Sequence, residues 1–597
     1  MSVVAQIKKV TGNAIRELYG VNINGEEILV NATKPEFEGD YTVVLFGFIK
    51  QLRKSPEVLG SEIGSYLVQQ QPAVFTSFNV IKGFLNLVVS DACWLAFLQE
   101  NYGNTSFGTA PLKNKKVVVE YSSPNTNKPL HLGHLRNNFL GWSTAAILRA
   151  SGYDIVKTCI VNDRGIHICK SMIAWQLFAN GATPQSTGIK GDHFVGDYYV
   201  KFNDEYKKQV EVLVANGMPK EIAEKEAEIM KGAQQMLLDW EAGKPEVVEL
   251  WKIMNSWVYE GFDITYKKIG SDFDKIYYES ETYLLGKDLV DEGLKKGVFF
   301  QKEDGSVWID LTTEGLDEKL VRRRDGTSVY ITQDIGLAVN KYEEYKYNQS
   351  IYVVGDEQIY HFKVLKLICQ KLGLPSADGI YHLSYGMVEL PTGKMKSREG
   401  TVVDADDIIA EMVNIARQKT EELGKVKDFT AEELEELYNT LGLGALKFFL
   451  LRVDPKKKMV FNPEESIDFH GFTGPFIQYT HARIKSILKN ADALLFLENE
   501  AVHNNPEELL SLEKAVIMHL EQFADIVEES AVNHDPSKLA IYIFNLAKTF
   551  NSFYTAHSIM NAVNEHKKTL RLRLARLTAH TIKTGMALLG INVPERM

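Results

Sequence analysis

Val117-Val118-Val119, closed by Glu120, is an apolar run with no polar alternation, and it constrains the fold more than any other segment. A strand with every side chain apolar needs cover on both faces, as in a parallel sheet flanked by helices. A polar stretch follows, Ser122 to Pro129. His131 to Ala150 then carries helical spacing closed by Gly152, and Ile155 to Val161 reads as a second strand. Strand, loop, helix and strand make the unit of a doubly wound sheet.

The unit recurs later. Val329-Tyr330-Ile331, Ile351–Val354 and Tyr381–Val388 read as further strands, with a helix at His361–Leu372. Between the two groups, residues about 183–275 are rich in Lys and Glu, with helical apolar spacing across Ile222–Trp240. This reads as a helical insertion into the sheet domain. Before it, Val74–Val80 and Phe84–Val89 look like strands, and Asn101–Lys116 like a linker. From Asp404 onward strand signals stop and the tail is helical. The expected fold is multidomain α/β. It has an N-terminal α+β domain at 1–110, a Rossmann-type parallel-sheet domain at 111–455 and an all-α domain at 456–597.

The length, 597 residues, agrees with several domains at roughly 100–200 residues each. A net charge of −11 argues against a protein that coats nucleic acid non-specifically. It leaves room for an RNA partner held by local basic patches. No apolar run of membrane-spanning length and no secretory leader is visible, so a cytoplasmic location is expected. The four cysteines, Cys93, Cys159, Cys169 and Cys369, form no CxxC pair. Reduced thiols are expected, and no structural zinc or other metal site.

The chemistry-bearing stretch is Glu120-Tyr121-Ser122-Ser123-Pro124-Asn125-Thr126-Asn127-Lys128-Pro129-Leu130-His131-Leu132-Gly133-His134. It opens a helix after a buried strand. A helix start presents unpaired N–H groups and favours anions. His131 and His134 share one helical face and can donate to phosphate oxygens, and Gly133 leaves room for a flat ring. A zinc-binding HxxH pair and two ordinary surface histidines are the other readings of the spacing alone.

This stretch resembles the HIGH signature of class I aminoacyl-tRNA synthetases, with Leu132 in place of isoleucine. The longer string VEYSSPNTNKPLHLGHLRN is similar to the form found in arginyl-tRNA synthetases. The resemblance implies that His131, Gly133 and His134 hold ATP. Far downstream, Gly393-Lys394-Met395-Lys396-Ser397-Arg398 is a glycine-flanked loop rich in cations. Such a loop can neutralise a departing pyrophosphate, although many basic turns are merely solvated. It resembles the class I KMSKS motif but carries Ser397 where that motif has its second lysine. The resemblance therefore shifts weight to Lys128, just before the HIGH-like motif. Lys394, Met395, Lys396 and Ser397 are expected to support ATP.

A guanidinium is best met by carboxylates. By resemblance, Glu120, Tyr330 and Asp334 would face the guanidinium of L-arginine, and Asn125, His131 and Gln358 its amino and carboxylate end. Arg164 stands where the family often has tryptophan and is assigned no role. FHGFTGPFIQYTHARIKSIL, Phe469 to Leu488, resembles the family's anticodon-binding domain, with Phe472, Tyr479 and Arg483 as tRNA contacts. The basic runs Lys456–Lys458 and Lys567, Lys568, Arg571, Arg573 and Arg576 are candidate phosphate contacts. The resemblance implies arginyl-adenylate formation from ATP, accompanied by Mg2+, and transfer to the terminal 2′-OH of tRNA-Arg by a monomer. A glutamyl pocket would want a cation in place of Glu120 and Asp334. A cysteinyl enzyme would show metal-site cysteines. A tRNA-independent nucleotidyl transferase needs no RNA-reading tail, and an inactive paralogue would show a broken motif.

Overall fold

The structure, a computed structural model, describes residues 2–34, 36–391, 403–424, 428–489 and 508–597. Lys394, Met395, Lys396 and Ser397 lie outside the described residues. Among the described residues no helix is long and apolar enough to cross a membrane.

The N-terminal domain is an antiparallel sheet in the order β1 (Leu29–Ala32), β2 (Tyr41–Val44), β4 (Phe84–Val89), β3 (Phe75–Ile81). Helices α1 (Val3–Tyr19), α2 (Pro56–Gln70) and α3 (Asp91–Asn101) accompany it, each started by a serine hydroxyl at Ser2, Ser55 or Ser90.

The central sheet has five parallel strands: β5 (Lys116–Glu120), β6 (Asp154–Val161), β7 (Lys275–Tyr278), β11 (Gln349–Gly355) and β12 (Ile380–Tyr385). Their spatial order is β12-β11-β5-β6-β7. The order reverses between β5 and β11, the point at which open α/β sheets bind ligands. Helix α4 (Leu132–Ala150) joins β5 to β6. Helices α5 (Ile166–Phe178), α6 (Gly191–Ala215), α7 (Glu228–Glu241) and α8 (Pro245–Ile269) fill the connection from β6 to β7, where the helical insertion was expected. The spacing in Ile222–Trp240 does not make one helix. The chain turns extended at Ala227 (ψ 122°), dividing it into Lys220–Glu226 and α7.

A small antiparallel sheet, β8 (Phe300–Gln301), β9 (Val307–Ile309) and β10 (Lys319–Arg322), precedes α9 (Tyr330–Tyr345). The expected strand at Val329–Ile331 is therefore corrected: Val329 is the cap of α9 and Tyr330 its first residue. Three residues of strand-favouring type suggested β structure. Ile331, Ile335 and Ala338 recur at helical spacing and are buried on one face, and that longer pattern decides.

Helices α10 (Ile359–Lys371), α11 (Ala405–Leu423) and α12 (Ala431–Leu451) follow. The strand pattern does not end at Asp404: β13 (Val388–Glu389) pairs in parallel with β14 (Met459–Val460). The C-terminal bundle comprises α13 (Gly474–Leu488), α14 (Ser511–Glu521), α15 (Phe523–Asn533), α16 (Pro536–Ala556) and α17 (Glu565–Leu588). The N-terminal domain docks on it through buried Glu521, which accepts from the Val3 amide (2.5 Å) and the Tyr41 hydroxyl (3.1 Å).

Candidate active site

The chain leaves β5 through two consecutive non-glycine residues with left-handed backbone, Ser122 (φ 79°) and Ser123 (φ 48°). Such conformations cost about 1–3 kcal/mol each and persist where surroundings over-determine them. Here they do. The Ser122 amide donates to Asn137 Oδ1 (2.6 Å), its hydroxyl meets Tyr266 (2.6 Å), and Asn138 donates to the same hydroxyl (3.1 Å). Asn137 also donates to the Val353 carbonyl of β11 (2.7 Å) and to Tyr385 of β12 (3.1 Å). One helix of the site thus binds three strands together.

Helix α4 begins with a cap built from its two histidines. His131 Nδ1 accepts from the Gly133 amide (3.1 Å), and His134 Nδ1 accepts from the His131 amide (3.1 Å). An imidazole whose Nδ1 accepts carries its proton on Nε2 when neutral. Both are held neutral. Burial and the nearby Lys128 push His131 down to about 3. Burial, then His131 and Lys128, hold His134 well below its usual range. The rings lie 3.9 Å apart. A Cβ on Gly133 would stand 3.0 Å from His131 Cε1, so the glycine makes room for this ring.

Asn125, Lys128, His131, Gly133 and His134 converge on a cavity of about 370 Å3, closed from the other side by Gly355, Glu357, Tyr385 and Glu389. Burial lowers the pKa of the Lys128 ammonium. A lysine, two Nε2–H donors and a helix N-terminus facing one cavity form a receptor for a polyanion.

Of the other expected pocket residues, Glu120 is buried and engaged by Lys341, itself fully buried. Asp334 pairs with His361 Nε2 (2.6 Å). Gln358 ends a short 3₁₀ turn after β11. Tyr330 is 72% exposed and lines a second cavity of about 500 Å3 with Arg164, Glu241, Glu279 and Gln333. Glu120, Asp334 and Gln358 line neither cavity.

Arg164, given no role above, pairs with Glu241 (2.9 Å) and lies 4.0 Å from the Tyr283 ring centroid. Glu279 had no sequence signal. Burial, opposed by Arg164, raises its carboxyl to about 7. A carboxyl raised above its unfolded value contributes stability at low pH that is lost as pH rises through about 7. Glu279→Gln is therefore expected to melt higher than the wild type at pH 8 and to lose that advantage at pH 5. A constant difference across this range, read by differential scanning fluorimetry, would contradict the assignment.

In the C-terminal bundle, Phe472 lines a cavity of about 600 Å3 with His470, Phe476, Phe544, Lys548 and Asn551. Tyr479 and Arg483 do not line it. Tyr479 packs edge-on against Phe469, and Arg483 donates to Asn551 (3.0 Å) with its guanidinium 4.8 Å from the Tyr479 ring. The expected phosphate run is corrected in part. Lys567, Arg571 and Arg573 are buried, and the first two hold buried Glu513 at 2.7 and 2.8 Å. Lys456, Lys457 and Lys458 are exposed.

This sheet order, with a histidine-capped helix at the switch point, is the architecture of a class I aminoacyl-tRNA synthetase. Residues 99–462 match the family of class I (R) tRNA synthetases, catalytic domain. Residues 5–89 match the arginyl-tRNA synthetase N-terminal domain, and 477–597 the DALR anticodon-binding domain. An arginine–tRNA ligase of Parabacteroides distasonis is 53% identical over 591 residues, covering 98% of each chain. One of Amoebophilus asiaticus is 52% identical over 597 residues, covering all of both. The arginyl-tRNA synthetase of Thermus thermophilus superimposes with a TM-score of 0.79 over both entire chains at 24% identity. The chain belongs to the arginyl-tRNA synthetases.

Proposed function

We propose that this protein is an arginine–tRNA ligase that activates L-arginine with ATP and esterifies the terminal adenosine of tRNA-Arg. The cavity at the start of α4 supports this reading most strongly. It offers Lys128 and two neutral histidines whose Nε2–H groups are free of the helix cap.

ATP enters as its magnesium complex, with phosphates against the α4 start. The arginine carboxylate oxygen attacks the α-phosphorus in line, and the bond to the bridging oxygen of pyrophosphate breaks. Lys128, His131 and His134 stabilise charge at the α-phosphate, and Lys394, Met395, Lys396 and Ser397 support the leaving group. The 2′-OH of the terminal adenosine then attacks the arginyl carbonyl carbon and AMP departs. Asp334 and Tyr330 receive the guanidinium, while Asn125 and Gln358 hold the α-amino and carboxylate end. Glu120 acts through its pair with Lys341, which leaves it little net charge to offer directly.

The anticodon loop docks on the C-terminal bundle at the Phe472 cavity. Tyr479 and Arg483 shape the adjoining wall, and the protein acts as a monomer in the cytoplasm. Loss of one stacking ring costs about 1–3 kcal/mol per base. Phe472→Ala is accordingly expected to lower kcat/KM for tRNA about 10-fold while KM for ATP stays unchanged; an unchanged tRNA dependence would remove Phe472 from the interface. The function itself is tested by charging: radiolabelled arginine should become an alkali-labile ester on tRNA, and charging with another amino acid instead would refute the pocket assignment.

A further inference from the structure

Outside the ATP cavity, one polar cluster joins three segments distant in sequence. Lys190 and His193 lie at the start of α6, Thr265 on α8, and Asp404 and Asp406 at the start of α11. The Lys190 ammonium donates to Asp192 (3.0 Å), Asp406 (2.7 Å) and Thr265 (2.6 Å). His193 Nε2 lies 3.2 Å from Asp406 and 3.4 Å from Asp404. Asp404 caps α11 by accepting from the Asp406 amide (2.7 Å). Asp192, His193 and Asp406 are close enough to suggest a metal site. The Lys190 ammonium already sits on two of these carboxylates, so the cluster carries its own cation.

Both ends of the cluster reach the active site. The chain entering α11 runs antiparallel to the chain entering α4: Leu132 N donates to the Val403 carbonyl (3.3 Å) and Ala405 N to that of Leu130 (3.0 Å). Asp404 is thereby the backbone partner of His131. On the other side, Gly196 of α6 supports the lysine loop. A Cβ there would stand 2.8 Å from Pro129 Cδ and 3.5 Å from Lys128 Cα. The path closes on itself, from His131 through Asp404 and Asp406 to Lys190 and His193, and along α6 back to Lys128.

We propose that Lys190, His193, Asp404 and Asp406 are positioning residues that set Lys128 and the His131–His134 helix start in register for adenylate formation. The proposal rests on the arginine–tRNA ligase reading for its catalytic readout. The helical insertion supplies half of the clamp, through Lys190 and His193. Its charge balance depends on His193. The hydrogen bond to Asp406 raises the pKa of His193, and Lys190 and His193 hold Asp406 well below its usual range against its burial. The charged groups facing His193 are Asp404 and Asp406 from α11, and Lys190, Asp192 and Asp197 from its own segment. As pH rises through the raised His193 value, the clamp loses one of its two cations.

The experiment compares wild type with Asp406→Asn, Lys190→Met, Lys190→Arg, His193→Gln and the milder Thr265→Val. Arginine-dependent ATP–pyrophosphate exchange and amide hydrogen exchange are both measured. Misplacement of about 1 Å costs on the order of 100-fold. Asp406→Asn and Lys190→Met should lower kcat about 10- to 100-fold with KM for arginine unchanged, and Lys190→Arg should restore most of it. His193→Gln should remove the fall in kcat that accompanies His193 deprotonation. In hydrogen exchange, Asp406→Asn and Thr265→Val should lose protection at Leu132 and Ala405 and keep it at Val118 in β5. Wild-type kcat in folded Asp406→Asn and Lys190→Met, or unchanged protection at Leu132 and Ala405, would overturn the proposal. Wild type silent in arginine exchange with unfractionated tRNA present would refute the ligase reading, and hydrogen exchange would still decide whether the clamp holds the helix start.

Discussion

His134→Ala is expected to lower the rate of arginine-dependent pyrophosphate exchange by about 100- to 1000-fold, the scale for removing one preorganised donor at developing charge. Two functions are lost together. The Nε2–H no longer faces the cavity, and Nδ1 no longer accepts from the His131 amide. The second loss alone costs about 1 kcal/mol of helix capping, so the fold survives and the catalytic effect can be read separately. Because burial keeps both histidines neutral, the wild-type rate should show no step near pH 6.5 from either ring. A folded His134→Ala enzyme within a few-fold of wild type would mean that the α4 start does not bind the reacting phosphates.

Arg136→Met is expected to be among the most destabilising single changes in the sheet domain. Arg136 is 1% exposed and donates to the carbonyls of Gly386 (2.8 Å), Pro455 (3.1 Å) and Lys457 (2.9 Å). Burial lowers the pKa of its guanidinium to about 10. Methionine fills similar volume and leaves the Gly386 and Lys457 carbonyls without this donor, at about 1–3 kcal/mol each, while the Pro455 carbonyl keeps the Gly386 amide (2.9 Å). A loss on the order of 3–5 kcal/mol is expected. It should appear as a lower first thermal transition and faster proteolysis around 455–458, where the Lys457 carbonyl comes free. Unfolding of several domains need not be two-state, so the first transition is the one to compare. An unchanged first transition would show that those carbonyls find other partners.

The parallel sheet was legible because Val117–Val119 has no polar alternation, and only double-sided burial explains such a run. The histidine pair was legible because its spacing and its position after a strand coincide. Tyr330 was misread because three strand-favouring residues outweighed a helical period that emerges only over eight positions. The run around Lys567 was misread because a basic cluster looks solvated until its partner is known. Glu513, more than fifty residues earlier in the chain, buries two of those cations. Ser122 and Ser123 gave no sign of left-handed backbone, since the bonds imposing it come from Asn137, Asn138 and Tyr266. Glu279 escaped notice, and Arg164 was assigned no role, because their chemistry comes from burial and from each other.

The most direct test of the central claim is ATP–pyrophosphate exchange across all twenty amino acids, with and without unfractionated tRNA. Exchange is expected with arginine and no other amino acid, and it should collapse in Lys128→Met and His134→Ala. Exchange with a different amino acid, or arginine exchange that survives both substitutions in folded protein, would contradict it.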